Sequence, residues 1–571
     1  MSTLTFKTFL RWLDDNLLLI LAGFLLAFIP LYPKIPLFSP IEQYIVRVRI
    51  EDIFIFFTAI VWLVQVLRKK ITYKTPLTWL IVGYAVVGLL SVLSAVFITG
   101  TVPLQPLHLG KTLLHYFRYL EYFSLFFFTF SAIKTRKDIM TLVAIFGLTI
   151  IAISLYGYGQ KYHYWPVYST MNREFSKGLR LYLTPHARVQ STFGGHYDMA
   201  AYLVLALPLV MSLGLAVRRK ALKYALFAAF WLGTWLMIVS ASRAAFVAYL
   251  AGVGFTVSMF ALSQQNWRER ISYGLKRMLF FGFTIGVLFM VYGEDMSERL
   301  GQVIDSNPEL RDQYHEFNRQ RKELVASIIT GDFSRPASTP PPNSISTDDA
   351  ITQGILTPTD ERPVTTRPTD VYVDVPDQVT VATVSASGQT EYIVVEKDRT
   401  WSECALKNSL SLCIRLDTLW PRAIEGFTTN PLLGKGYATL NKESNEQFTE
   451  AESTDNNFLR TLGETGLLGF ITFYGTILFA CWLAFKRSFS QDALVKGLSI
   501  GFLAASLGLL LNAVYIDVFA ASKVALSYWG LTGLVLGALF ILPVKAATEP
   551  TATKEVSTQK KKQSRTSHAC A

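Results

Sequence analysis

The sequence predicts an all-α integral membrane protein of about twelve transmembrane helices with one long extracytoplasmic loop. Three observations lead there. First, of its 571 residues 51% are hydrophobic and only 17% are charged, and the mean hydropathy is +0.33. That balance is too apolar for a soluble domain of ordinary charge content. Second, the apolar residues gather into runs close to the roughly 20 residues that cross the hydrocarbon of a bilayer. Third, Lys and Arg fall in short clusters between those runs, and the 13% aromatic content fits belts at both interfaces.

The runs lie near 15–32, 52–67, 77–98, 115–133, 139–159, 198–217, 222–240, 244–262, 278–292, 460–484, 494–515 and 524–543. The weakest are 52–67, which is short, and 115–133, which opens on His115, Arg118 and Glu121. Leu17 to Tyr32 lacks a small-residue cleavage site and is expected to stay as a span. If every run spans, Arg68 to Lys70, Lys134 to Lys137, Arg218 to Lys220, Arg268 to Arg277, Lys486-Arg487 and Lys560 to Lys562 share one side. The positive-inside rule makes that side cytoplasmic, with both termini on it, as in a multi-pass protein of the inner or plasma membrane. The net charge of +12 is then a topology signal and not a nucleic-acid surface.

This organisation divides the chain into a bundle of nine spans (1–292), an outer region (293–456), three further spans (457–543) and a basic cytoplasmic tail (544–571). Within the outer region, Ser297 to Ile329 has the pattern of amphipathic helix. Residues 334–370 are dense in Pro, Thr and Ser and predict a disordered insert. Val371 to Val395 alternates β-branched residues around Ser385 to Gly388, which predicts a hairpin. Leu412 to Phe427 returns to helix. The four cysteines have no zinc spacing, and Cys404 and Cys413 could pair if this region faces an oxidising side.

Polar groups without an obvious structural need stand in three outward places. One is the stretch Arg188 to Tyr202, where Arg188, His196 and Asp198 flank a glycine pair. Another is Ser240 to Ala245, an almost lengthless turn carrying Arg243. The last is the loop NPLLGKGYATL, with Lys435, followed by STDNNFLRTLGETGLLGF. There Asp455, Asn456 and Asn457 end the polar segment, and Glu464 sits among residues fit for lipid. In a purely structural role, Thr454 or Asp455 would cap the helix, Asp198 would cap another, and Glu464 would pair with Arg460. In a functional role, arginines suit a forked grip on phosphate, and a carboxylate near a hydroxyl suits a general base. Neither a GxxxxGK[ST] loop nor a metal-type carboxylate pair stands in the outer segments apart from Asp348-Asp349 in the insert.

The stretches STFGGHYDMAAYLVLALPL, VSASRAAFVAYLAG, NPLLGKGYATL and STDNNFLRTLGETGLLGF, in that order, resemble the O-antigen ligase and polymerase superfamily of bacterial envelope enzymes. The resemblance covers 186–262 and 412–485. It implies transfer of a glycan from an undecaprenyl-diphosphate carrier to an acceptor hydroxyl on a glycan, lipid or protein, outside the membrane and without metal or cofactor. By position, Arg188 and Arg243 match the family's diphosphate-handling arginines. Asp455 falls where ligase members carry a histidine base, which favours a polymerase or another glycan transferase over lipopolysaccharide-core ligation. His196, Asp198, Asn456, Asn457, Glu464 and Lys435 make up the candidate substrate-binding set. The competing expectation is a lipid-linked oligosaccharide flippase or polysaccharide exporter, which should carry charges mid-span and repeat its halves. The halves here do not resemble each other. A scaffold whose outer loop binds a partner has only the insert in its favour.

Overall fold

Eleven helices among the described residues are long and apolar enough to cross a membrane, the mark of a multi-pass membrane protein. They belong to a computed structural model that describes residues 6–42, 44–171, 175–184, 187–304, 308–330, 377–384, 390–397, 410–449 and 453–542. The predicted insert 334–370 and the basic tail 544–571 lie outside the described residues. So does Cys404; Cys413 is disulfide-bonded.

In chain order the membrane-length helices are α1 (Phe6–Leu31), α2 (Ile50–Leu67), α3 (Thr78–Phe97), α4 (Pro106–Ala132), α5 (Arg136–Tyr162), α6 (His196–Ala216), α7 (Lys220–Val239), α8 (Arg243–Leu262) and α9 (Trp267–Tyr292). The segment after α9 holds α10 (Glu294–Ile304), α11 (Pro308–Thr330) and the antiparallel strands β3 (Asp377–Val384) and β4 (Thr390–Lys397). A shorter pair, β1 (Pro36–Phe38) and β2 (Val48–Arg49), closes the loop after α1. Next come α12 (Leu410–Ile414), a π-helical turn (Arg415–Leu419) and α13 (Trp420–Thr429). Three long helices complete the fold: α14 (Asn457–Phe485), α15 (Ala493–Asn512) and α16 (Ser522–Ile541).

The run predicted at 115–133 lies in α4, which at 27 residues is ample in length but falls outside the eleven. His115, Arg118 and Glu121 lower its hydropathy, and α4 instead packs along α16, α1 and α3.

Burial sorts the helices by position. In α6 and α16, 89% of the most apolar window is buried, against 11% in α9, so the first two form the axis and α9 the flank. Water does not drive helix association inside a membrane, so close approach of small residues must. The α6–α15 contact illustrates it. A Cβ on Gly501 would stand 2.9 Å from the Cα of Leu209, and Ser212 Oγ donates to the carbonyl of Gly497 at 2.7 Å. Lys523 at the start of α16 donates to the carbonyls of Pro30 and Thr192, Gln160 of α5 to that of Ser191, and the Asn457 amide to that of Ala513, so the C-terminal ends of α1, α5 and α15 share one end of the bundle with the N-terminal ends of α6, α14 and α16. The segments that carry the candidate residues all converge there.

Candidate functional site

The site is built on a broken helix. Gly466 within α14 has φ 65° and ψ −167°, which interrupts the helical ladder. The carbonyls of Gly463 and Glu464 and the amides of Leu467 and Leu468 thereby lose each other as partners. Residues 430–438 replace them. Lys435 and Gly436 amides donate to Gly463 and Glu464 at 2.8 and 3.0 Å, and Leu467 and Leu468 amides donate to Pro431 and Leu432 at 2.8 and 3.2 Å. Ser91 Oγ of α3 adds a bond to the Glu464 carbonyl at 2.9 Å. The glycines follow from this contact: a Cβ on Gly434 would lie 2.5 Å from the Glu464 carbonyl carbon, and one on Gly466 would lie 2.4 Å from that of Leu432. The motifs NPLLGKGY and GETGLLG are two halves of one backbone joint.

The start of α14 is capped by Asn456, whose side-chain oxygen accepts from the Phe458 and Leu459 amides at 3.1 and 3.0 Å. This corrects the expectation that Thr454 or Asp455 is the cap. Asn457 is 1% exposed and ties α14 to its neighbours, bonding Tyr474 Oη and the Phe519 amide at 3.0 Å each. Glu464, 2% exposed, accepts from Arg460 Nε at 3.3 Å and from the Ala438 amide at 3.0 Å. The expected Glu464–Arg460 pair is thus present. Asn456, Asn457 and Glu464 hold the scaffold of this joint.

Asp517, in the segment between α15 and α16, organises the approach to α14. Its carboxylate accepts from the Thr454 amide (2.9 Å), the Asn456 amide (3.1 Å) and Arg460 Nη1 (3.0 Å). Ser453 Oγ lies 2.9 Å from Asp455 Oδ1 and 3.1 Å from Asp517 Oδ2, so its single hydrogen serves one carboxylate at a time. Held this way, Asp455 takes a left-handed φ of 51°. That conformation costs a non-glycine residue on the order of 1 kcal/mol. Its side chain is one-third exposed and pairs with Arg415 Nη2 at 2.8 Å. Burial pushes the Asp455 carboxyl above its usual value; Arg415 opposes the rise, Asp517 adds to it, and Ser453 opposes it. A carboxylate raised in this way is the better proton acceptor.

Arg415 links that carboxylate to the arginines. It leaves the π-helical turn, lies over the Tyr515 ring with its guanidinium carbon 4.9 Å from the centroid, and is within electrostatic reach of Arg243. Arg243, the first residue of α8, is also within reach of Arg188, Tyr197 and Tyr515. Arg188 bonds His196 Nε2, donates to Tyr197 Oη at 3.0 Å and lies over the Tyr197 ring. Four of the residues singled out from sequence (Arg188, His196, Arg243 and Asp455) therefore gather at one end of the bundle.

Others go elsewhere. Asp198 does not cap α6, which starts from Gly195; it meets Lys34 Nζ at 3.4 Å. Lys435 pairs with the exposed Glu425 at 3.1 Å. Sequence reasoning missed Arg415, Tyr515 and Asp517. Arg415 sits in a polar helix beside Asp417, where a charge looks like solvated surface. Asp517 could have been found, because a carboxylate in a short link between two apolar runs calls for a partner.

No family model matches the chain, and no curated protein is similar to it at a meaningful level.

Proposed function

We propose that the protein is a membrane glycan transferase of the O-antigen ligase and polymerase type. It moves an oligosaccharide from an undecaprenyl-diphosphate carrier to an acceptor hydroxyl on the outer side of the inner or plasma membrane. The topology that goes with this has twelve spans, counting α4, with both termini cytoplasmic and the site end outside. One observation carries the proposal: a partly exposed, strained carboxylate with a raised pKa pairs with Arg415, which is within electrostatic reach of Arg243, itself within reach of Arg188.

The chemistry follows from the residue types. Asp455 takes the proton of the acceptor hydroxyl, whose oxygen attacks the anomeric carbon of the donor. The bond from that carbon to the diphosphate oxygen breaks, and the diphosphate leaves with the electron pair. Arg188 and Arg243 meet the charge that grows on it, with forks that match phosphate oxygens. Arg415 orients Asp455, and Asp517 fixes the loop that presents it.

Purified protein in proteoliposomes, given undecaprenyl-diphosphate-linked glycan and acceptor, should release carrier diphosphate and lengthen the acceptor. Asp455→Asn should lower both about 10²–10⁴-fold. A flippase would move the lipid across the bilayer with its diphosphate bond intact, and that outcome would overturn the proposal.

A further inference from the structure

A cavity of about 650 Å³ lies between α2, α4 and the loop after α1. Its upper wall holds Lys34, Arg49 and Asp198; deeper in come Asp52, Arg118 and Glu121. Every cation there faces a carboxylate. Lys34 meets Asp198 at 3.4 Å, and Arg49 meets Glu51 at 3.5 Å. Arg118 Nη1 meets Asp52 at 2.8 Å and Glu121 at 2.9 Å. The far end is apolar, lined by Ile55 and Ala59. Phe56 and Phe117 stand at its edge, 68% and 57% exposed on the flank of the bundle.

Two readings of these charges can be weighed. A knot that only ties helices together is packed shut, as Arg460, Glu464 and Asp517 are, with side chains 3%, 3% and 8% exposed. Arg118, Asp52 and Glu121 keep 18%, 15% and 19% of their side-chain surface open and border a void. Ionisable groups left partly open beside an apolar void point to a ligand.

The geometry points to a binding site for a lipid with an uncharged, hydroxyl-bearing head group, a glycolipid in chemical class. Its chain lies against Ile55, Phe56 and Ala59, and its hydroxyls reach the charged wall. Carboxylates only accept and guanidiniums only donate, so paired Asp, Glu and Arg offer both roles to a hydroxyl. Tyr44 and Tyr122 also line the cavity with their rings, their hydroxyls being bonded to His115 and to the Ala520 carbonyl. The lining charges balance, with Lys34, Arg49 and Arg118 against Asp52, Glu121 and Asp198, so the cavity offers an anionic head group no net attraction. This assignment is independent of the transfer chemistry proposed above.

Native mass spectrometry of the delipidated full-length protein tests it. The protein is offered equal amounts of monoglucosyl diacylglycerol, phosphatidylglycerol and phosphatidylethanolamine of matched chains. The glycolipid adduct should exceed either phospholipid adduct by about tenfold, the discrimination expected from one or two hydrogen bonds to charged groups. Ala59→Trp, which fills the apolar end, should remove that adduct. Asp52→Asn keeps the shape and should lower the preference while leaving the protein folded. Equal retention of all three lipids, or a glycolipid adduct unchanged in both variants, would overturn the site.

Discussion

Two carboxylate–arginine clusters stand a few residues apart in this protein, and they are built on opposite terms. Around Arg460, Glu464 and Asp517 the charges are buried, both carboxylates share the one guanidinium, and both accept from backbone amides. Around Asp455 the carboxylate is one-third exposed, bent into a left-handed φ and paired with Arg415, which lies within electrostatic reach of Arg243. The first arrangement is what stability demands of buried charge, since an unmatched ion there is costly. The second keeps open groups that stability alone would close, as the proposed site requires. Residue type alone does not separate them; exposure, backbone strain and charge balance do.

The sharpest way to break the contrast is to exchange the roles. Asp455→Asn should lower glycan transfer about 10²–10⁴-fold while thermal unfolding in detergent stays near the parent. Arg460→Met should do the reverse, unfolding the protein early by leaving two buried carboxylates unmatched, at a cost of about 3–5 kcal/mol. A stable Arg460→Met protein, or an unstable Asp455→Asn one, would erase the distinction.

The arginines come next in size. Arg188→Lys and Arg243→Lys each keep the charge but lose the fork, and turnover should fall on the order of 10²–10³-fold. Near-parental turnover in Arg243→Lys would reduce that residue to a point charge.

A pH profile sharpens the comparison without large losses. In the proposed transfer Asp455 acts as the ionised carboxylate, so activity should rise with pH through its raised pKa. Asp517 pushes that pKa up and Arg415 pulls it down. Arg415→Gln should therefore move the acid limb to higher pH. An acid limb that stays in place would remove Asp455 from the proton transfer.

The smallest effect concerns strain alone. Asp455→Gly and Asp455→Ala both delete the carboxylate, but only glycine is at ease at φ 51°. The glycine variant should be the more stable of the two by about 1 kcal/mol in urea unfolding.

Much of the fold was legible because membrane-length helices write themselves as apolar runs. The α4 helix was legible only weakly, since Arg118 and Glu121 serve the cavity wall and not the lipid. The break at Gly466 was invisible: hydropathy counts side chains and says nothing about which carbonyl an amide meets. Arg188, Arg243 and Asp455 could be picked out as polar residues at the ends of apolar runs. Arg415 could not, because its meaning depends on a helix 40 residues upstream folding back over Asp455, and sequence distance hides that.

The position of Asp517 also fixes when the protein can work. Asp455 is synthesised before α14, yet the carboxylate that receives the Thr454 and Asn456 amides arrives only after α15 has been made. A nascent chain halted within α14 already has all three arginines and the carboxylate, but the loop that presents Asp455 has nothing to close upon. Under the proposed chemistry, competence waits for the insertion of the final hairpin of helices, and a half-made chain in the membrane stays inert toward its donor.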